Sequence, residues 1–170
     1  LTAVHRLLAA ASIVAVREHD SFTQEQMSLV DRLVSQGGGG ELMLGGQESF
    51  IEGKYYRTPL GEMLPVYLDG SAPKGNDDKI RLSLTRDGWH QAWMRLRSNE
   101  VDEQTRLDAM PDFRSVNRIR GIKPGAMALA TASGTDDKTV PILAAHRFGK
   151  GHIAALLIGD YWRWQLSRQD

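Results

Sequence analysis

Met27, Val30, Leu33 and Val34 recur three and four positions apart, the spacing that lays apolar side chains along one face of an α-helix. Asp20-Ser21-Phe22-Thr23 supplies N-cap candidates, and Thr23 with Gln26 fits a capping box. The helix is expected to stop at Gly37-Gly38-Gly39-Gly40, where glycine takes a left-handed C-cap without a Cβ clash. Glu41-Leu42-Met43-Leu44 then reads as a short buried strand running into the glycine pair Gly45-Gly46. Upstream, Val4 to Ala11 is helix-compatible, and Ser12 to Val16 is a β-branched run that suits a buried strand. Helix, glycine turn, strand and glycine loop in that order belong to an α/β sheet.

Beyond the glycine pair the pattern breaks up. Gly53, Pro59, Gly61 and Pro65 predict a long surface loop from Ser49 to Pro65, with at most a turn of helix near Leu60 to Met63. Asp69 to Lys79 is a polar connection, and Ile80 to Leu84 alternates with period two as a half-buried strand does, opening an excursion from the main sheet. Trp89 to Arg97 suits a short helix and Val101 to Ala109 is polar; Val116 to Ile122 and Ala126 to Thr131 are expected strands around the turn Lys123-Pro124-Gly125. Val140 to Phe148 and His152 to Ile158 are apolar runs joined by Gly149-Lys150-Gly151, a β-hairpin. No internal repeat is evident.

The 170 residues suffice for one domain with its own core, and 41% hydrophobic with 25% charged residues is an ordinary globular, soluble mixture. Lys plus Arg equals Asp plus Glu at 21 each, so no net field argues for nucleic acid or anionic membrane; the local basic run Arg114, Arg118, Arg120 and Lys123 is expected to be a solvated face. The chain contains no cysteine, which excludes a disulfide framework, a thiolate metal site and a thiol nucleophile. No apolar run approaches the roughly 20 residues that span a bilayer. A chain opening on Leu1 suggests an excised piece of a longer protein.

Gly38-Gly39-Gly40-Glu41-Leu42-Met43-Leu44-Gly45-Gly46, Ser49-Phe50, Thr58-Pro59-Leu60 and Leu64-Pro65-Val66 resemble, in that order, blocks of the glutamine amidotransferase-like family found in bacterial membrane-associated multidomain proteins. Met110-Pro111, Val116-Asn117, Lys123-Pro124-Gly125-Ala126, Phe148 to His152 and Tyr161 to Trp164 fall in the order of that family's later blocks, so the likeness covers roughly residues 20 to 164. The resemblance implies a flavodoxin-like, class I glutamine amidotransferase-like sandwich around a mostly parallel sheet, with a β-rich insertion at about 70 to 130 and a βαβ unit ahead of residue 1. A strand edge left bare by that missing unit would favour other domains of a parent protein, protein partners or a homodimer. A tether to a bacterial membrane would then lie in sequence outside the domain.

Active members of that fold carry a cysteine at a strained turn after a strand, with a His and a Glu. The resemblance puts Leu44 at that place, and a hydrocarbon side chain cannot attack a carbonyl. Ser49 is the substitute nucleophile to consider, with His146 or His152 as base and Glu48 or Asp160 as the orienting carboxylate, although the segment lacks the G-x-S-x-G elbow. Gly45, Gly46, Gln47, Glu48 and Ser49 form instead a candidate ligand-binding loop whose backbone N–H groups could face an anion. Neither a P-loop nor a dinucleotide fingerprint is present, and neither metal nor cofactor is expected from the scattered His and Asp. The aromatic run Tyr161-Trp162-Arg163-Trp164 suits core or domain docking more than a partner surface. Two functions follow as expectations: a non-catalytic ligand-binding or interaction domain of a larger protein, or a hydrolase or amidotransferase-like enzyme built on Ser49.

Overall fold

The computed structural model describes residues 11–14, 22–46, 49–68, 79–133 and 139–167. Among these the chain forms a mixed six-stranded sheet with five helices. In chain order they are β1 (Ala11–Val14), α1 (Gln24–Ser35), β2 (Gly40–Leu44), α2 (Pro59–Met63), β3 (Arg81–Leu84), α3 (Arg86–His90), α4 (Glu100–Asp108), β4 (Met127–Ser133), β5 (Thr139–Phe148), β6 (Gly151–Leu156) and α5 (Trp162–Leu166). The strand order is β1-β2-β6-β5-β4-β3.

β1, α1 and β2 make one βαβ unit, and β2 also pairs in parallel with β6. The remaining three pairings are antiparallel. The expectation of a mostly parallel, flavodoxin-like sandwich is therefore wrong, and the reason is connection length. β5 and β6 are joined by Gly149 and Lys150 alone, and so short a link can only reverse the chain, whereas a parallel neighbour needs a crossover of a dozen residues or more. Of the β-rich insertion expected at about 70 to 130, residues 69 to 78 lie outside the described residues, and the rest contributes only β3 and β4 as strands, both continuous with the main sheet, together with α3 and α4.

Local chemistry explains the elements that the sequence announces. The Thr23 side chain accepts from Gln26 N while the Gln26 side chain accepts from Thr23 N, so the capping box of α1 is complete. Met27 and Val34 are buried under it, but Leu33 is 47% exposed, because a 3.6-residue period turns that position to the outer flank. α4 forms within the polar stretch through its ends: Asn99 Oδ1 accepts from Asp102 N at 2.8 Å, and the acidic first turn complements the helix dipole.

Two apolar clusters cover the two faces of β6. Ile153, Ala155 and Leu157 join Met27, Val34 and Met43 on one side, and Ile158 joins Phe113, Leu129 and Ile142 on the other. The supposed surface loop at 49 to 65 is the largest correction within the first cluster: Phe50, Tyr55, Leu60, Met63 and Leu64 are all buried there. Glycine and proline breaks in the segment mark tight turns, with Phe50, Lys54 and Arg57 at positive φ, and not solvent exposure. Residues 116 to 122 likewise form no strand; they cross the sheet's end through single antiparallel bridges, Val116 to Ile158 and Ile122 to Val66.

The hairpin turn also fastens α1. Lys150 N donates to Ser35 O at 2.8 Å, and Gly149, at φ 58°, lies so close that an added Cβ would sit 2.3 Å from the same carbonyl oxygen. Gly149→Ala is expected to cost about 2–3 kcal/mol, from left-handed strain plus a backbone clash. Urea denaturation measures it, and a loss below about 0.5 kcal/mol would contradict this packing.

Candidate functional site

Because β2 and β6 run parallel, both deliver their following residues to the same end of the sheet, the place where open α/β sheets form ligand crevices. Gly45-Gly46 leave β2 there, and Leu157 to Asp160 leave β6. The crossing segment lies against both: Asn117 N donates to Leu157 O at 2.7 Å, and Gly159 N donates to Ser115 O at 3.1 Å. Asn117, 6% exposed, holds the glycine loop with its carboxamide, accepting from Gly46 N at 3.0 Å and donating to Gly46 O at 2.8 Å. A side chain thus does what a neighbouring strand would do, satisfying both backbone groups of a residue past the strand's end.

This approach explains Gly45. A Cβ there would stand 2.7 Å from Asn117 Oδ1 and from the Ile158 carbonyl oxygen. It also corrects the expected anion cradle in part, since the Gly46 N–H already points at Asn117. Gln47 and Glu48 lie outside the described residues. Ser49 is buried beside the loop, with its N donating to Gly46 O at 3.4 Å and its Oγ 3.1 Å from where a Gly46 Cβ would be. Phe50, next in the chain, holds a left-handed φ of 55° that bulky residues rarely adopt. Asp160 closes the edge: its Oδ2 accepts from Arg114 N at 2.9 Å and pairs with Arg163 Nε at 3.7 Å, while its buried Oδ1 has no hydrogen-bond partner among the described residues.

The two histidines are elsewhere. His146 on β5 pairs with Ile153, whose partner on β2 is Glu41, and His152 pairs with Gly40. Gly46 lies five residues beyond Glu41, so the imidazoles sit on the order of 15 Å from the loop along the strand direction. His146 Nε2 is bonded to Met63 O at 2.7 Å, and His152 is exposed. The sheet therefore gathers Gly45, Gly46, Ser49 and Asp160 at one end and leaves both candidate bases at the other. The aromatic run divides as well: Trp164 stacks on Phe113 at 4.8 Å and donates Nε1–H to Pro111 O at 2.9 Å, whereas Tyr161 and Trp162 are exposed. The basic run has internal duties. Lys123 Nζ donates to Glu62 O at 2.7 Å at the end of α2, with burial holding its pKa below the usual lysine value, and Arg120 lies over the Tyr67 ring at 4.4 Å.

Two polar residues of consequence escaped the sequence reading. Asn117 is the first; its only signal is an amide in the otherwise apolar and basic run Val116 to Ile122. Glu41 is the second. It occupies an inward position of β2 with Met43, 3% exposed, and its Oε2 has no hydrogen-bond partner among the described residues. Burial, and then the negative charge of Asp31, push its pKa up to about 7. Burial and Glu41 in turn push the Tyr55 hydroxyl up to about 12.

No family model and no curated protein sequence matches the chain. Solved structures do. A cytoplasmic protein of Salmonella typhimurium, STM3548, superposes with a TM-score of 0.63 at 20% identity over 92% of this chain and 63% of that one. A second, cytoplasmic protein STM1381 of Salmonella typhimurium LT2, gives 0.65 at 21% identity over 89% of this chain and 61% of that one. The likeness is one of fold. This chain spans under two thirds of the length of each.

Asn117→Ala removes a buried amide and strands two backbone groups of Gly46, so it is expected to destabilise by about 2–4 kcal/mol. In a two-dimensional NMR spectrum the largest amide shifts should fall on Gly45, Gly46 and Gly159. Unchanged stability with unmoved glycine signals would contradict the clamp.

Proposed function

We propose that the chain is a non-catalytic relative of glutamine amidotransferase-like domains, binding a ligand at the carboxyl edge of β2 and β6 as part of a longer protein. One observation carries the non-catalytic half: the strand register keeps His146 and His152 at the far end of the sheet from Ser49. A serine hydroxyl needs a base within about 3 Å to become a nucleophile, and no backbone shift short of unfolding the hairpin closes such a gap. The absence of cysteine removes the sulfur alternative.

The ligand-binding half is supported by the polar groups assembled at that edge: Ser49 and Asn117, both buried, Ser115 Oγ beside Gly159, and the Asp160 carboxylate. A glycine-shaped edge that brings hydroxyl, carboxamide and carboxylate together suits a small polar molecule held by hydrogen bonds. The longer parent is supported by the two fold neighbours, each well over this chain's length. Those neighbours are described as cytoplasmic, and no helix among the described residues is long and apolar enough to cross a membrane; in our reading the domain works in water, and any tether lies outside it.

A fluorophosphonate probe is expected to leave the domain unlabelled, and glutamine to yield no ammonia above a buffer blank. NMR titration with a library of small amides, carboxylates and polyols should give shifts clustered on Gly45, Gly46, Ser49, Asn117 and Gly159. Probe labelling abolished by Ser49→Ala would overturn the non-catalytic reading; shifts scattered over the surface would overturn the site.

A further inference from the structure

Glu41 shares with Met43 the inward face of β2, whose apolar cluster includes Met27 and Val34 of α1, away from the carboxyl edge. Its neighbours in the register are Ser12 on β1 and Ile153 on β6, and the next position across, on β5, is His146. Above this row α1 turns one face inward: Met27 and Val34 are buried, and Asp31 falls between them at helical spacing, half-buried. The titratable groups of this face are therefore a carboxylate from α1, which raises the Glu41 pKa, the Tyr55 hydroxyl from the turn after β2, which Glu41 raises in turn, and, two strands away in the register, the His146 imidazole already bonded to Met63 O. No lysine or arginine pairs with Glu41 among the described residues. Its buried Oε2 has no hydrogen-bond partner among the described residues. An ionised carboxylate in that position is almost wholly shielded from water, has no counter-charge among the described residues, and feels a second carboxylate on the helix.

We propose that Glu41 is a proton-operated latch for α1: neutral, it lets the helix lie on the sheet, and ionised, it drives the helix off. Released α1 exposes Glu41 to water, where the carboxyl returns to its ordinary value of 4.5, whereas in the docked state it titrates at about 7. The docked form thus keeps a proton that the released form gives up. Docking is strongest below the lower value, weakens as pH rises between the two, and has lost the whole contribution above the upper one. The hinge for this motion is the C-terminal end of α1, which stays tied to the hairpin turn through Lys150 N and Ser35 O. What the released helix uncovers is the apolar patch of Met43, Ile153 and Ala155.

Hydrogen exchange on the whole chain at pH 6 and pH 8, corrected for the intrinsic pH dependence of exchange, reads the latch directly. Peptides covering residues 24–36 should show an open population about tenfold larger at pH 8 than at pH 6, while those covering α4 should not change. Glu41→Gln should give equal protection of α1 at both pH values, and Asp31→Asn should reduce the difference. Equal protection in the wild-type chain, or a pH dependence that survives Glu41→Gln, would overturn the proposal. Should Glu41→Gln fail to fold, a carbon-detected NMR titration of the wild-type Glu41 carboxyl decides: a midpoint near 7 supports the latch, and one near 4.5 removes it.

Discussion

The structure depends on one strand with two different neighbours. β6 takes a parallel partner in β2 and an antiparallel one in β5, and its side chains alternate between two apolar clusters. With both edges of β6 paired and one face fully buried, its backbone polar groups find their partners in the two adjacent strands, which fixes the register of the sheet's centre. The two-residue turn before β6 sets the antiparallel half, and the βαβ unit on the other side sets the parallel half. All else is placed by that register.

Register then decides what chemistry the polar residues can do. Strands that end together bring Gly45 and Gly159 against the crossing segment, close enough that side chains there would collide with Asn117 and Ser115, while one at Gly46 would press on Ser49. The result is a stiff polar edge whose hydrogen bonds are largely internal. The same register sends His146 and His152 to the opposite end, where one is bonded to a backbone carbonyl. A constellation that looks plausible as a list of residue types is thereby taken apart by strand direction.

Much of this was legible in the sequence where a local rule had one reading. The Thr23–Gln26 capping box, the stop at the glycine run, the strand before Gly45 and the hairpin at Gly149-Lys150 each follow from backbone chemistry within a few residues. The errors came where tertiary context decides. Gly and Pro in 49 to 65 signal turns truthfully, but they say nothing about burial, and Phe50 and Tyr55 end in the core. Sheet direction depends on pairings distant in sequence, so a family likeness suggested a mostly parallel sheet that the short connections forbid. Of the polar edge, the glycine loop and Ser49 stand out in the sequence as candidates; Asn117 does not, since an isolated amide carries no periodic signal. Glu41 hid in plain view at the head of a strand, where a charged residue reads as exposed until the alternation places it inward.

The central claim is that Ser49 and His146 are held at opposite ends of the sheet. A chain without cysteine lets this be tested cleanly with the double variant Ser49→Cys, His146→Cys under copper-phenanthroline oxidation, with Ala145→Cys, Ala154→Cys as the adjacent control pair. Disulfides need Cα atoms within about 7 Å, so the account predicts bridging in the control pair and two free thiols in the Ser49 and His146 pair. Quantitative formation of an intramolecular disulfide between positions 49 and 146 would contradict it.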